Sequence, residues 1–218
     1  MYNQKIKRIW TLVIFLMFLV FSSCSQNPNG IAKCDAVLIY DYSDFKSFPT
    51  ERLSIFVEAQ DSARKYVSFT LTNESYDFYW NIQDLVVFKT AEKVVAGYPN
   101  IKMPVNKNFN AGTYKITFVN ADGKLSEEEI KIKKNYDFTQ VAAKDVDEVL
   151  AGKSKLNYIS VFNKDNLMIY YGEKNSDFQD PAKILENYNE AAYYHDVYLL
   201  SDKSQMCIFP KINIASEN

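Results

Sequence analysis

Histidine occurs once, glycine six times and cysteine three times in 218 residues, and each scarcity closes off a class of chemistry. With His195 alone, a mononuclear zinc site would need carboxylates or cysteines, and none of these shows ligand spacing. Its neighbour Asp196 makes no catalytic pair on a helix, because residues i and i+1 do not face each other there. There is no C-x-x-C, which removes redox motifs and zinc ribbons. So few glycines leave little from which to build a phosphate-cradling loop, and no P-loop, G-x-G-x-x-G or G-x-S-x-G is present. The sequence therefore predicts no enzyme, no cofactor and no metal. Paired carboxylates need only spatial proximity and leave no mark in sequence. Glu127-Glu128-Glu129, downstream of Asn120-x-Asp122, comes nearest to a cation site. Gly123 follows Asp122 directly, which breaks the calcium-loop pattern and favours a hairpin turn with a solvated strand.

What is present begins at the N-terminus. Lys5, Lys7 and Arg8 precede a run, IWTLVIFLMFLVF (9–21), that is apolar except for Thr11. Its length matches the core of a signal peptide, about 7–15 residues. It falls short of the roughly 20 that a membrane-crossing helix needs. Phe21-Ser22-Ser23-Cys24 follows. Small residues before a cysteine resemble the lipobox of bacterial lipoproteins, with Phe21 standing where most boxes carry Leu. The resemblance implies cleavage between Ser23 and Cys24 and lipid on the Cys24 thiol. Two or three acyl chains hold firmly, since each buried methylene contributes about 0.8 kcal/mol. Residues 1–23 are then a signal peptide and 24–33 a polar, lipidated tether containing Pro28 and Gly30. The implied location is the bacterial cell envelope, facing the periplasm or the exterior.

Residues 1–23 hold three basic residues and no acid, so the mature chain carries 22 basic against 27 acidic side chains. Nucleic acid demands a basic surface and is excluded as a partner. Anionic headgroups are a poor electrostatic match for the same reason. With Cys24 acylated, Cys34 and Cys207 remain. In an oxidising envelope a disulfide between them would join the first strand to the last; otherwise they are two unrelated thiols.

From Cys34 to Lys134 the hydrophobic period is two. AVLIY (36–40), RLSIFVEA (52–59), YVSFTLTN (66–73), FYWNI (78–82), LVVFKT (85–90), TYKITFVN (113–120) and LSEEEIKIKK (125–134) read as strands. The last two flank Asp122-Gly123, a hairpin signal whose central positions both favour positive φ. Short strands with turns at regular spacing predict an all-β sandwich over 34–134. Phe109-Asn110-Ala111-Gly112-Thr113-Tyr114 resembles the segment that opens a late strand in immunoglobulin-like modules. That likeness implies Trp80 as a core residue lying across the sheets.

Residues 135–218 read as a small α+β unit. FTQVAAKDVDEVLAGK (138–153) has helical spacing and ends at Gly152. YISVF (158–162) and LMIYYG (167–172) form a hairpin. Asp180-Pro181 opens a second helix, which ends near Tyr194 or continues through Leu200. In the first case VYLLS (197–201) and MCIFP (206–210) pair as a hairpin. Lipobox, sandwich and α/β tail together resemble spirochaete-type lipoproteins of unknown function.

Aromatic content is high, with 16 Tyr and 15 Phe. The cluster at 76–80 fits a sandwich core. Tyr188, Tyr193, Tyr194 and Tyr198, read on one helix, exceed what one buried face needs and so read equally as a binding surface. The expectation is a non-enzymatic envelope module that binds a protein partner. The alternative is a binding protein for a small ligand or glycan, held in an aromatic groove between the two domains.

Overall fold

The computed structural model describes residues 31–59, 65–89 and 93–214. Ser23, Cys24 and the rest of the lipobox lie outside the described residues. The chain is mainly β, in two sheets. The strands are β1 (Ile31–Asp41), β2 (Thr50–Ala59), β3 (Tyr66–Thr72), β4 (Trp80–Ile82), β5 (Val86–Lys89), β6 (Val94–Ile101), β7 (Gly112–Asn120), β8 (Leu125–Ile132), β9 (Lys155–Asn163), β10 (Met168–Glu173), β11 (Ala191–Leu200), β12 (Gln205–Ile208) and β13 (Ile212–Asn213). Two short helices, α1 (Val146–Val149) and α2 (Pro181–Asn187), interrupt the second half.

The smaller sheet has the order β4-β3-β7-β8. The larger runs β10-β9-β11-β12-β1-β2-β6-β5, with β13 also on β11. Alternation of apolar residues drives both, because successive side chains on a strand face opposite sides. Leu53, Ile55 and Val57 of β2 turn inward to meet Phe69 and Leu71 of β3 and Tyr114, Ile116 and Phe118 of β7 in one core. The hairpin joining β7 to β8 forms where expected, by different chemistry. Of its turn residues only Gly123 takes positive φ, at 74°. Asn120 Oδ1 accepts the N–H groups of Asp122 and Lys124 at 3.1 and 2.7 Å, closing the turn from the side-chain level. One left-handed residue suffices when an Asx side chain supplies the rest.

The expected boundary at residue 134 is crossed by the larger sheet. β1 pairs with β12 in parallel, with Leu38 opposite Gln205 and Tyr40 opposite Cys207. Phe138, Val146, Leu150, Cys207 and Phe209 complete the core that β2, β3 and β7 begin. At the junction itself, the half-buried Lys134 ammonium lies 3.0 Å from the Glu51 carboxylate, whose second oxygen accepts the Phe109 N–H at 2.7 Å. A second, smaller core gathers Ile159, Val161, Phe178, Ile184 and Ile214 at the β9–β11 end.

Three expectations change. The helix expected over 138–153 shrinks to the single turn α1 behind a 3-10 turn at Ala143–Asp145. Asp137 Oδ1 binds both the N–H and the hydroxyl of Thr139, at 3.1 and 2.7 Å. Such local bonding competes with a helix start. The second helix starts as expected, with Pro181 first and Asp180 Oδ1 accepting the Ala182 N–H at 2.9 Å. It ends at Asn187, well short of Tyr194. AAYYHDVYLL is instead the strand β11, as its Tyr and Val content favours. The 197–208 hairpin forms, with Val197 opposite Ile208. Finally, Cys34 and Cys207 are both free thiols. Cys207 stands opposite Tyr40, six residues along β1 from Cys34. That is about 20 Å at 3.3 Å per residue, too far for a disulfide.

Candidate functional site

Register decides which side chains share a face. Val197 stands opposite Tyr158 on one side and Ile208 on the other. Leu199 stands opposite Leu156 and Met206, and Met206 opposite Ile39. Since alternate residues share a face, Tyr158, Phe162, Tyr193, His195, Val197 and Leu199 all line one side of the larger sheet. The opposite side, with Ile159, Val161, Tyr194, Tyr40 and Leu38, fills the two cores and carries α2 and the smaller sheet. The first group therefore lines the outer side of the sheet, where Tyr193, Val197 and Leu199 are buried and Tyr158, Phe162 and His195 are half-buried.

Its geometry is ordered. Tyr193 stacks on Phe162, ring centroids 5.0 Å apart and planes within 5°. His195 meets both rings edge-on at 5.7 Å. Its Nδ1 lies 2.8 Å from the Phe209 carbonyl oxygen; a carbonyl only accepts, so that nitrogen carries the proton. Tyr158 stacks on Tyr171 at 5.4 Å. Lys211 Nζ sits 3.8 Å over the Tyr193 ring, and the Tyr193 hydroxyl donates to Asn166 Oδ1 at 2.9 Å. These contacts hold the rings in fixed rotamers. At the margin, Tyr171 is 47% and Met168 56% exposed. An exposed aromatic margin backed by stacked, buried rings suits protein recognition, because it binds with little side-chain ordering cost.

The four tyrosines expected to act together are separated. Only Tyr193 belongs to the outer face. Tyr194 and Tyr188 border the small core, Tyr188 against Tyr170 and Phe178 at 5.3 and 6.2 Å. Burial raises the hydroxyl pKa of Tyr194, and nearby Asp196 adds to the shift. Tyr198 faces inward, with Lys155 Nζ 3.6 Å over its ring and its hydroxyl donating to Asp147 at 3.3 Å. Burial, then Asp147, pushes that hydroxyl up to about 12. Tyr158, Phe162 and Tyr171 are the residues missed. Their signal was the period-two pattern of YISVF, in which Tyr158 and Phe162 share a side.

The remaining candidates make packing and pairing contacts. Trp80 is buried among Tyr76, Phe78 and Phe109 and donates its indole N–H to the Lys102 carbonyl at 2.9 Å. Tyr79 projects outward, 64% exposed. Glu127, on β8, pairs with Lys115 across the hairpin at 2.8 Å. This contact holds its carboxyl below the usual range. Among the described residues, grooves of about 650, 440 and 450 Å³ indent the surface, and none of these has an aromatic ring in its lining. Among the described residues no helix is long and apolar enough to cross a membrane.

No protein-family model matches the chain, and no curated protein matches it.

Proposed function

We propose that the chain is an envelope lipoprotein, anchored through lipid on Cys24, whose folded body is a non-enzymatic module that binds a protein partner. The observation that carries the binding half is the β9–β10 margin of the larger sheet, where Tyr171, 47% exposed, stacks on Tyr158 beside Met168, 56% exposed, with the buried Tyr193, Val197 and Leu199 behind them. The anchoring half rests on the lipobox and its signal segment.

The first eight strands are read as an immunoglobulin-like sandwich. Three features support this. The orders β1-β2-β6-β5 and β4-β3-β7-β8 correspond to the A-B-E-D and C′-C-F-G sheets of that fold. At the start of β7, the buried Tyr114 hydroxyl donates to the Asn110 carbonyl at 3.0 Å, as a corner tyrosine does. Trp80 packs in the core, although it stands on β4 rather than on the third strand, where antibody domains carry theirs.

The glycan reading requires an aromatic-lined groove. Among the described residues these three grooves lack aromatic linings, and the exposed Tyr171 lies at a sheet margin rather than in a groove, which favours a protein partner.

Two measurements test the proposal. Intact mass and detergent partitioning of the native protein, beside Cys24→Ala, report the anchor. Loss of residues 1–23 with added acyl mass, abolished by the substitution, is expected; a soluble wild type cleaved elsewhere rejects it. A photo-crosslinking amino acid at Tyr171, introduced in cells, reports the face. A discrete protein adduct that disappears with Tyr158→Glu is expected. Absence of any protein adduct from Tyr171 and from Phe162 rejects the binding role.

A further inference from the structure

β12 is too short for the strand it joins. β1 runs from Ile31 to Asp41, and β12 covers it only from Leu38 to Asp41. On its other side β1 pairs with β2 almost from end to end. Among the described residues no strand pairs with residues 31–37 on the β12 side, and this stretch borders the 650 Å³ groove, whose walls are β8 at Glu128–Lys131 and the turn at Asp202–Ser204.

Hydrogen bonding tells which backbone groups face this notch. The N–H groups of Leu38 and Tyr42 donate toward β12, to the carbonyls of Ser204 and Ile208, each at 3.0 Å. A strand alternates its backbone groups with period two. The N–H and C=O of Ala36 and Cys34 therefore point to the same side, into the notch, while those of Asp35 and Val37 point toward β2. Such groups form a template for one more strand.

We propose that the notch accepts a single extended segment of a partner protein, added along β1 in line with β12, and that this segment lies close to the membrane. The walls decide the form of the occupant. A lone strand enters a slot bounded by β8 and the β11–β12 turn; the edge of a second folded copy, with its own sheet behind it, meets those walls. Charge decides its character. Lys33 with Asp35, Lys131 and Lys203 with Glu128 and Asp202 balance one another around the groove, which suits a segment of low net charge. The tether decides its position, and this step rests on the lipoprotein reading. Residues 24–30 ahead of β1 reach at most about 25 Å from the lipid at Cys24, so the open end of the notch stays within that distance of the bilayer.

The test uses the full-length protein in its native membrane. A photo-crosslinking residue replaces Ala32, and the adduct is mapped by mass spectrometry in the parent and in Ala36→Pro. Proline at 36 removes a donor that faces the notch and leaves the β2 ladder intact. Cys34→Pro does the same one step along. Asp35→Pro, whose N–H faces β2, is the folding control and is expected to unfold the protein. The expected result is a protein adduct, mapped to a segment beside a membrane-spanning or lipid-anchored region, that falls about tenfold in folded Ala36→Pro. An unchanged adduct in folded Ala36→Pro, adducts with lipid alone, or adducts with a second copy of this chain overturn the proposal. Should neither proline variant fold, hydrogen exchange of the unmodified protein decides. The Cys34 and Ala36 amides are expected to exchange fast in detergent and slowly in native membranes; equal rates overturn it. Intact mass reports the lipid separately: an unacylated protein with a proline-sensitive adduct removes only the membrane-proximal part.

Discussion

Gln205 lays its side-chain amide against the backbone of Tyr136, donating from Nε2 to the Tyr136 carbonyl at 2.6 Å and accepting the Tyr136 N–H at Oε1 at 3.0 Å. The amide thus imitates a paired strand and fastens the segment after β8 to β12. Its Nε2 also donates to the Tyr40 hydroxyl at 3.2 Å. Gln205 is fully buried, so these bonds satisfy groups that water does not reach.

Gln205→Leu fills a similar volume and leaves both backbone groups of Tyr136 unpartnered. Each buried unsatisfied group costs about 1–3 kcal/mol, so a loss of about 2–4 kcal/mol is expected on denaturant unfolding. Hydrogen exchange of the Tyr136 amide would rise in step. A variant within about 0.5 kcal/mol of the parent would mean that water replaces the amide and that the junction is held by Lys134–Glu51 alone.

Gly97 gives a sharper packing test. A Cβ at that position would lie 2.0 Å from the Ile55 carbonyl oxygen and 2.7 Å from the Phe56 Cα. Both are backbone atoms, and Gly97 sits opposite Phe56 in the β2–β6 ladder, so neither side yields easily. Gly97→Ala is expected to cost about 3 kcal/mol. At that cost the thermal midpoint drops by roughly 6–12 °C in a chain of this size. A change of only a degree or two would show that β6 can slide outward, since it is held on the far side only by the four-residue β5.

At the start of β7 the prediction concerns a single oxygen. Tyr114 donates to the Asn110 carbonyl at 3.0 Å, and the neighbouring Tyr76 hydroxyl, 3.3 Å away, accepts the Asn110 N–H at 2.8 Å. Tyr114→Phe keeps the ring in the core and deletes the hydroxyl. A loss of about 1–2 kcal/mol is expected from the orphaned carbonyl. Tyr76→Phe should cost less, because its hydroxyl is closer to solvent; the reverse ranking would make Tyr76 the anchor of the 108–110 loop.

Strands were legible wherever one face is buried and alternation is clean, as in Tyr114-Ile116-Phe118. β6 was not, because Gly97 and Pro99 interrupt its pattern, although β2 and β5 hold it by backbone pairing. The aromatic face was half legible. Tyr193 was singled out, but the helical reading of 188–198 set it beside Tyr188, Tyr194 and Tyr198. In the strand β11, Tyr193 and Tyr194 point to opposite sides, and the partners of Tyr193 come from β9, some thirty residues earlier. The sheet joining β1 to β12 is a pairing between distant segments, and local periodicity carries no record of which strands become neighbours.

Alkaline titration offers a last test of how tightly that joint is sealed. Cys207, buried opposite Tyr40 where β12 meets β1, has its thiol pushed up from 9 to about 12, chiefly by burial. Below pH 9 the thiol is protonated in both folded and unfolded chains, and its contribution to stability is complete. Between pH 9 and about 12 the unfolded chain releases this proton while the folded chain keeps it, so stability falls with rising pH. The slope for one such group is about 1.4 kcal/mol per pH unit. Cys34, also raised to about 12 by burial with Asp35 adding to it, contributes in the same direction. Denaturant unfolding at pH 8, 9, 10 and 11 should give a falling curve for the parent and a shallower one for Cys207→Ala, whatever that variant loses in packing at pH 8. Parallel curves would mean that Cys207 ionises in the folded state and that the β1–β12 joint opens readily to water.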